Sequence, residues 1–310
     1  MKNNCILCSA SLSEPIYKIK DNRFGIKGVF KYKTCSSCRH IQLDPLLDQE
    51  NLIKYYSVYY NSVEKSINNK YINFRKLINT TFLGKIYNWL EGDITFSLKT
   101  GSGRLLEIGC NEGKNLAYYS KNGFETCGLE TNIKAANKAK TLGFKVFHID
   151  IEHLSHSELF DVIVLPNVLE HVANPIEFLK KVKIHLKNKG ELWISLPNKN
   201  SIYRKIFGSN WINWHPPFHI SQFDSVNLEQ LIHSIGLSVD SLKYVTPSQW
   251  VSMSFISSIY FKPEKPTKQM RSPLLLLIFI LSIKLIFFLP ITIFNKKQKG
   301  DCIKLIAMNR

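Results

Sequence analysis

Leu105-Leu106-Glu107-Ile108-Gly109-Cys110-Asn111-Glu112-Gly113 is the stretch whose reading decides the fold. The apolar run through Ile108 reads as a strand, Gly109 turns the chain, and Gly113 opens the helix that follows. Glycine suits such a turn because it takes positive φ and lets the backbone come close to a ligand. The spacing argues against the dinucleotide fingerprint Gly-x-Gly-x-x-Gly, since Asn111 and Lys114 stand where its second and third glycines belong. Glu107 argues the same way. A carboxylate at that strand end repels a pyrophosphate and attracts a cation, such as the ammonium of an amino-acid moiety.

Outward from this turn, apolar runs at Arg104–Ile108, Glu125–Leu129, Phe144–Ile149, Phe160–Leu165 and Gly190–Leu196 alternate with amphipathic stretches. The clearest of these is Ala173–Leu186, with Ile176, Leu179, Val182 and Leu186 on one face. Alternation of this kind predicts an α/β fold with a parallel, doubly wound sheet. A further helix at Val226–Ile235, ended by Gly236, leads to a sixth strand at Leu237–Val245. Polar residues follow successive strands: Glu130, 23 residues after Glu107, then Asp150, then Asn167. At the carboxyl edge of such a sheet Glu130 is placed to accept hydrogen bonds from two ribose hydroxyls, and Asp150 from an adenine amino group. One acidic strand end means little, but three and an asparagine in this order describe a nucleoside site.

Leu106-Glu107-Ile108-Gly109-Cys110-Asn111-Glu112-Gly113, Phe160-Asp161-Val162-Ile163, Val168-Leu169-Glu170-His171-Val172 and Pro175 together resemble the small-molecule branch of the class I S-adenosylmethionine-dependent methyltransferases. The resemblance spans Gly103 to about Val245. It implies a Rossmann-like seven-stranded sheet whose last strand is antiparallel and inserted beside the fifth, a part that Asp301–Met308 fits. It also implies S-adenosylmethionine as cofactor, with Glu107, Gly109, Gly113, Glu130, Asp150 and Asn167 around it. The departure is Asn111, where the family usually has glycine; asparagine serves that turn if it adopts positive φ.

Before this domain, Cys5-x2-Cys8 and Cys35-x2-Cys38 read as two knuckles of a zinc ribbon over residues 1–44, with strand-like runs at Pro15–Lys20 and Gly28–Thr34. Four thiolates can hold one zinc tetrahedrally, a closed and structural site that supplies folding free energy to a short segment. Seven cysteines in a chain expected to start in the cytoplasm are not a disulfide framework. Met1–Leu12 lacks the apolar stretch of a secretory leader. His40 is expected on the surface beside the knuckle. Residues 45–100, Tyr- and Asn-rich, read as a helical linker, and the whole arrangement resembles the zinc-binding module fused to some sugar and natural-product methyltransferases.

For the acceptor side, candidate bases are Glu170 and His171 after the fourth strand and His215 and His219 within Trp211–His219, with Tyr203 and Asp224 as weaker ones. Histidine titrates near neutral pH, so it suits a proton acceptor for oxygen methylation; each also has a bland reading as a helix-start residue or part of a packed loop. The acceptor is expected to be a small molecule, a sugar or a lipid-linked species. Pro166-Asn167-Val168-Leu169 lacks the Asn/Asp-Pro-Pro-aromatic loop used on exocyclic amines, though the net charge of +17 keeps an RNA methyltransferase as the alternative. A non-catalytic membrane-associated binding protein with the same fold is the other.

Within an insert over about 250–294, Pro273–Phe294 is almost wholly apolar and long enough to cross a bilayer. A single crossing would strand Asp301–Met308 on the far side, so the expectation is a helical hairpin or interfacial helix at the inner face of the cell membrane. Lys262, Lys265, Lys268 and Arg271 before it, and Lys296, Lys297 and Lys299 after it, would meet anionic headgroups. A buried or oligomer-forming helix pair is the competing reading.

Overall fold

A computed structural model describes residues 4–13, 17–47, 51, 54–56, 58 and 91–310. Most of the expected 45–100 linker, Tyr59 and Tyr60 included, lies outside the described residues. The chain forms two compact units: residues 1–92, 198–222 and 244–301 make the first, and residues 93–197, 223–243 and 302–310 the second.

Numbered along the chain, the described strands of the first unit are β1 (Tyr17–Ile19), β2 (Phe30–Thr34), β3 (Ile41–Leu43) and β9 (Ser221–Gln222). They form a four-stranded sheet in the order β1-β2-β3-β9, with antiparallel pairing throughout. The strands are too short to carry a core alone. Tyr32, Ile41 and Leu43 instead pack with Trp211, Trp214 and Tyr203 from the segment that returns after residue 197. Tyr32 fixes that segment, its buried hydroxyl lying 2.9 Å from the His219 carbonyl and 3.1 Å from that of Trp214.

The second unit holds the seven-stranded sheet that the sequence predicts. Its strands are β4 (Arg104–Ile108), β5 (Glu125–Leu129), β6 (Lys145–Phe147), β7 (Phe160–Pro166), β8 (Leu186–Pro197), β10 (Ser238–Val245) and β11 (Cys302–Met308). The order is β10-β11-β8-β7-β4-β5-β6. β4 runs parallel to both β5 and β7, β5 to β6, and β7 to β8. β11 is the exception, antiparallel to β8 with Leu305 opposite Ile194. Val162-Ile163-Val164-Leu165 is buried throughout, as a central parallel strand covered on both faces must be. The chain enters at β4, winds outward to β6, then returns to β7 on the other side of β4. That reversal puts the topological switch point at the carboxyl ends of β4 and β7, where α/β sheets bind ligands.

Helices α1 (Lys114–Lys121), α2 (Ile133–Thr141) and α3 (Pro175–Ile184) supply the crossovers. Asn132 and Asn174 cap α2 and α3 by accepting backbone N–H bonds, which satisfies donors that a helix start leaves unpaired. Leu116, Tyr119 and Ala139 pack with Leu105, Val164 and Trp193 in the core. In the first unit α4 (Ile202–Phe207) precedes the tryptophan segment. Beyond α5 (Ser225–Ser234) of the second unit come α6 (Ser248–Tyr260) and α7 (Pro273–Lys296) of the first. α7 is one continuous helix capped by Ser272, so the hairpin form of the apolar insert is corrected to a single helix.

Candidate functional site

Glu107 is the next-to-last residue of β4, within a strand buried from Leu105 to Ile108. The carboxyl group is fully buried. Asn115, one residue into α1, donates from Nδ2 to Glu107 Oε1 at 2.6 Å, while Oε2 is buried with no hydrogen-bond partner. Burial pushes the carboxyl up to about 8; the Asn115 bond works against this and the neighbouring Glu130 adds to it. A buried acceptor with an unused oxygen is costly unless a donor arrives, so the arrangement suits a cationic ligand group.

The turn after β4 has the strained geometry expected of it. Gly109, Asn111 and Gly113 have φ of 73°, 50° and 76°, so Asn111 takes the left-handed conformation that its glycine-like place requires. Gly128, in β5, faces the same turn, and a Cβ there would lie 2.4 Å from Cys110 Sγ. Glu130 joins the two loops: one oxygen accepts from Asn111 N at 2.9 Å and the other from Asn132 N at 2.8 Å. Each carboxylate oxygen has two lone-pair sites, so both keep capacity for a diol. Asp150 is exposed after β6. Asn167 follows β7 with φ 54°, its N–H bonded to the Ser195 carbonyl at 2.8 Å and its Oδ1 buried with no partner. The four residues thus stand in sequence along the carboxyl ends of β7, β4, β5 and β6, and the buried atoms fit a ligand that carries an ammonium group and a nucleoside.

Glu170 and His171 lie in the turn Leu169–His171 just beyond Asn167. Glu170 is buried, and burial pushes its carboxyl up to about 8; His171 is half-buried. His219 belongs to the first unit, buried, with Nδ1 2.8 Å from the Asn213 carbonyl. A carbonyl only accepts, so Nδ1 carries the proton of that bond. His215 is also buried there, and its segment is core of that unit instead of a surface loop. Asp224 caps α5 by accepting from Asn227 N at 2.9 Å, which gives it a structural task. Tyr203 is buried, and burial, then Asp301, pushes its phenol well up.

In the first unit Cys5, Cys8, Cys35 and Cys38 converge, with all four sulfurs within 4.8 Å of one another. Cys5 Sγ is 3.6 Å from Cys38 Sγ, and Cys8 Sγ is 3.4 Å from Cys35 Sγ. These are far beyond a disulfide bond of about 2.05 Å. They lie near the roughly 3.8 Å tetrahedron edge that a zinc–sulfur distance of about 2.3 Å dictates. The knuckles repeat each other: Cys5 N–H bonds Ala10 O at 2.8 Å and Cys35 N–H bonds His40 O at 2.7 Å. Ser9 and Arg39, each four residues past the first cysteine, both have φ 60°. The donor set fits zinc. His40 is not on the surface as expected. It is fully buried, its Nε2 3.3 Å from Ser221 Oγ, and burial, with Lys199 adding to it, holds its imidazole down at about 3.

Asn115 and Asp301 escaped the sequence reading. Asparagine one residue into the helix after a glycine turn was the available signal for the first. Asp301 is buried where no motif marks it, with Ser201 Oγ at 2.6 Å and Trp211 Nε1 at 2.8 Å on one oxygen and Asn213 Nδ2 at 3.3 Å from the other.

Residues 90–242 match the family model described as a methyltransferase domain. The chain is 29% identical over 122 residues to the ubiquinone biosynthesis O-methyltransferase of Rickettsia prowazekii, covering 36% of this chain and 48% of that protein. It is 32% identical over 151 residues to the protein of the same name in Rickettsia canadensis, covering 45% and 64%. The chain thus spans about half to two thirds of the length of these relatives. Among solved structures, a SAM-dependent methyltransferase from Archaeoglobus fulgidus aligns over 77% of this chain and 99% of its own, at 18% identity and a TM-score of 0.47.

Proposed function

We propose, from the premise that residues 90–242 are a methyltransferase domain, that this chain uses S-adenosylmethionine to methylate an oxygen of a small-molecule, sugar or lipid-linked acceptor at the cytoplasmic face of the cell membrane. The single observation that carries the cofactor is the buried Glu107 carboxyl, half-satisfied by Asn115 and with Oε2 awaiting a donor. Glu107 receives the ammonium of the methionine moiety, Glu130 the ribose hydroxyls, Asp150 the adenine amino group, and Asn167 closes the carboxyl edge. Gly109 and Gly113 keep the turn low enough for the ligand to reach backbone. The choice of oxygen as acceptor atom is supported by the names of the Rickettsia relatives.

Bound there, S-adenosylmethionine would supply a methyl group activated by its sulfonium to the acceptor oxygen. What the chain adds is position and a proton acceptor. Glu170 is the first candidate: a carboxylate that burial lifts to about 8 holds a proton far more firmly than an ordinary one, so it can accept one from a hydroxyl being methylated. His171 and His219 are the alternatives. The four-cysteine site holds zinc as a structural ion in the first unit, apart from any chemical step.

The test is transfer of tritiated methyl from S-adenosylmethionine into fractionated cell extract by the purified chain. Label in the lipid or polar-metabolite fraction is expected. Label in RNA would overturn the acceptor class, and cofactor binding without label in any fraction would overturn the activity.

A further inference from the structure

The charge of this chain is segregated. Residues 1–92, 198–222 and 244–301 hold 25 Lys and Arg against 9 Asp and Glu, whereas the second unit holds 16 against 15. Nearly all of the net charge of +17 therefore belongs to the unit that contains α7. That helix is apolar on every side, yet only one side of it is covered. Leu276, Ile280, Ile283 and Ile291 form a buried stripe, and Ile283 and Ile291 belong to the tryptophan-lined core of their own unit. On the opposite stripe Leu281, Leu285, Leu289 and Ile293 are exposed, with Leu285 83% and Leu289 69% open. Ile286 and Phe288 widen this into an apolar ridge over the middle of the helix, and Phe287, between Ile283 and Ile291 on the stripe side, is exposed as well. A helix hydrophobic all round is at home in a protein core or in lipid, and water is neither.

We infer that α7 is a monotopic anchor: it lies in the plane of an anionic bilayer, with the Leu281–Ile293 ridge in the acyl boundary and the stripe facing its own unit never leaving the protein. The inference deepens the membrane part of the reading above and rests on it. In-plane seating follows from how the helix is held. A spanning helix would have to give up the packing of Ile283 and Ile291 and expose Lys284 to lipid. Here Lys284 is only 3.6 Å from Glu91 Oε1, both side chains largely buried, so the one charge inside the apolar run is turned to the protein and paired. Lys296, at the end of the helix, and Lys297 and Lys299 just after it are left to meet headgroups. A second copy of the chain is the poorer occupant of the ridge, because pairing two such units brings together two net charges of the same sign. Since both units belong to one chain, docking the first confines the second to the same surface.

Flotation of the full chain with vesicles tests this, using phosphatidylcholine alone and with about one third phosphatidylglycerol. Strong binding to the anionic vesicles is expected. Replacing the three terminal lysines (Lys296→Gln, Lys297→Gln, Lys299→Gln) should weaken it about 100-fold, each contributing roughly a fivefold loss. Leu285→Asp with Leu289→Asp should abolish flotation while leaving the thermal unfolding temperature and the affinity for S-adenosylmethionine unchanged, since neither residue packs in the core. For topology, Lys268→Cys and Gln298→Cys are treated with a membrane-impermeant maleimide outside the vesicles, and labelling is read peptide by peptide by mass spectrometry. Both should label. Protection of Gln298→Cys alone would mean a crossing and overturn in-plane seating. A wild-type chain that stays monomeric and does not float, or a dimer in sedimentation that Leu285→Asp with Leu289→Asp dissociates, would overturn the membrane as occupant. Cofactor affinity measured on the same preparations separates these outcomes from failure of the methyltransferase reading, which would show as vesicle binding without S-adenosylmethionine binding.

Discussion

Glu107→Gln should make the ligand-free protein more stable and the cofactor complex weaker, two effects of opposite sign from one atom. Burial raises the folded-state pKa of Glu107 to about 8, from an ordinary value near 4.5. A carboxyl whose folded pKa is raised binds more protons folded than unfolded, so between about pH 4.5 and 8 the native state loses stability as pH rises. Integrated to pH 7 the cost is on the order of 3 kcal/mol. Glutamine keeps an oxygen for Asn115 Nδ2, 2.6 Å away, and removes the charge. Its own amide must be accommodated, so a gain of about 1–3 kcal/mol is expected in thermal unfolding at pH 7 and a smaller one at pH 5. Binding runs the other way. If only the ionised carboxyl pairs with the ammonium, S-adenosylmethionine affinity should fall about tenfold from pH 7 to pH 6, with close to one proton released per ligand bound. The amino-acid ammonium stays charged across that window. In Glu107→Gln the affinity should be at least tenfold weaker at pH 7 and flat over the same range. Calorimetry in two buffers of different ionisation enthalpy reads the proton release directly. A variant that is less stable at pH 7, or that binds with unchanged affinity and unchanged proton release, would refute the reasoning.

Glu130→Ala should weaken S-adenosylmethionine binding by roughly tenfold or more in the same titration, because it removes the acceptors for a diol and also frees Asn111 N and Asn132 N. Asn111→Gly should stabilise the protein by up to about 1 kcal/mol in chemical denaturation, since φ of 50° costs glycine nothing, with cofactor affinity within a factor of a few. Metal analysis should find one zinc per chain in protein prepared without chelators, and Cys35→Ser should lower that figure and the unfolding temperature of the first unit while cofactor binding persists. If Glu170 is the base, Glu170→Gln should lower kcat by about 100-fold or more with little change in KM, and should remove the pH–rate inflection near 8, checked by the pH profile of methyl transfer.

The second unit was legible because its information is local. β4 and β5 fall where their apolar runs do, and the edge strand β6 is trimmed to Lys145–Phe147 from the expected Phe144–Ile149 because an edge strand has neighbours on one side only. The antiparallel β11 also fell in place, between β10 and β8 as the family resemblance implies for a last strand inserted beside the fifth. At the carboxyl edge of the sheet the polar residues stand where the sequence puts them, but their state was not readable. That Glu107 keeps one oxygen without a donor depends on Asn115 reaching the other, a contact between a strand end and a helix turn that no spacing rule states.

The first unit was far less legible, and for a physical reason: its described strands are only two to five residues long, too short to leave a periodic mark. β9 is two residues long, too short to alternate, yet it completes the sheet beside β3 and brings Ser221 over His40. A histidine next to a cysteine knuckle looks exposed until that long-range pairing buries it. The packing of the tryptophan segment is equally long-range. Trp211–His219 has the aromatics, prolines and histidines of an active-site loop, and it is also held inside its unit, where Tyr32 reaches its carbonyls and Asp301 its indole and amide donors. In α7, Pro290 and Lys284 look like the break of a hairpin in a one-dimensional reading. A proline near the end of a helix removes a single N–H donor, and Glu91, nearly 200 residues away in sequence, pairs the lysine. Both apparent defects are thus compatible with one unbroken helix, whose apolar far side is what the membrane proposal has to explain.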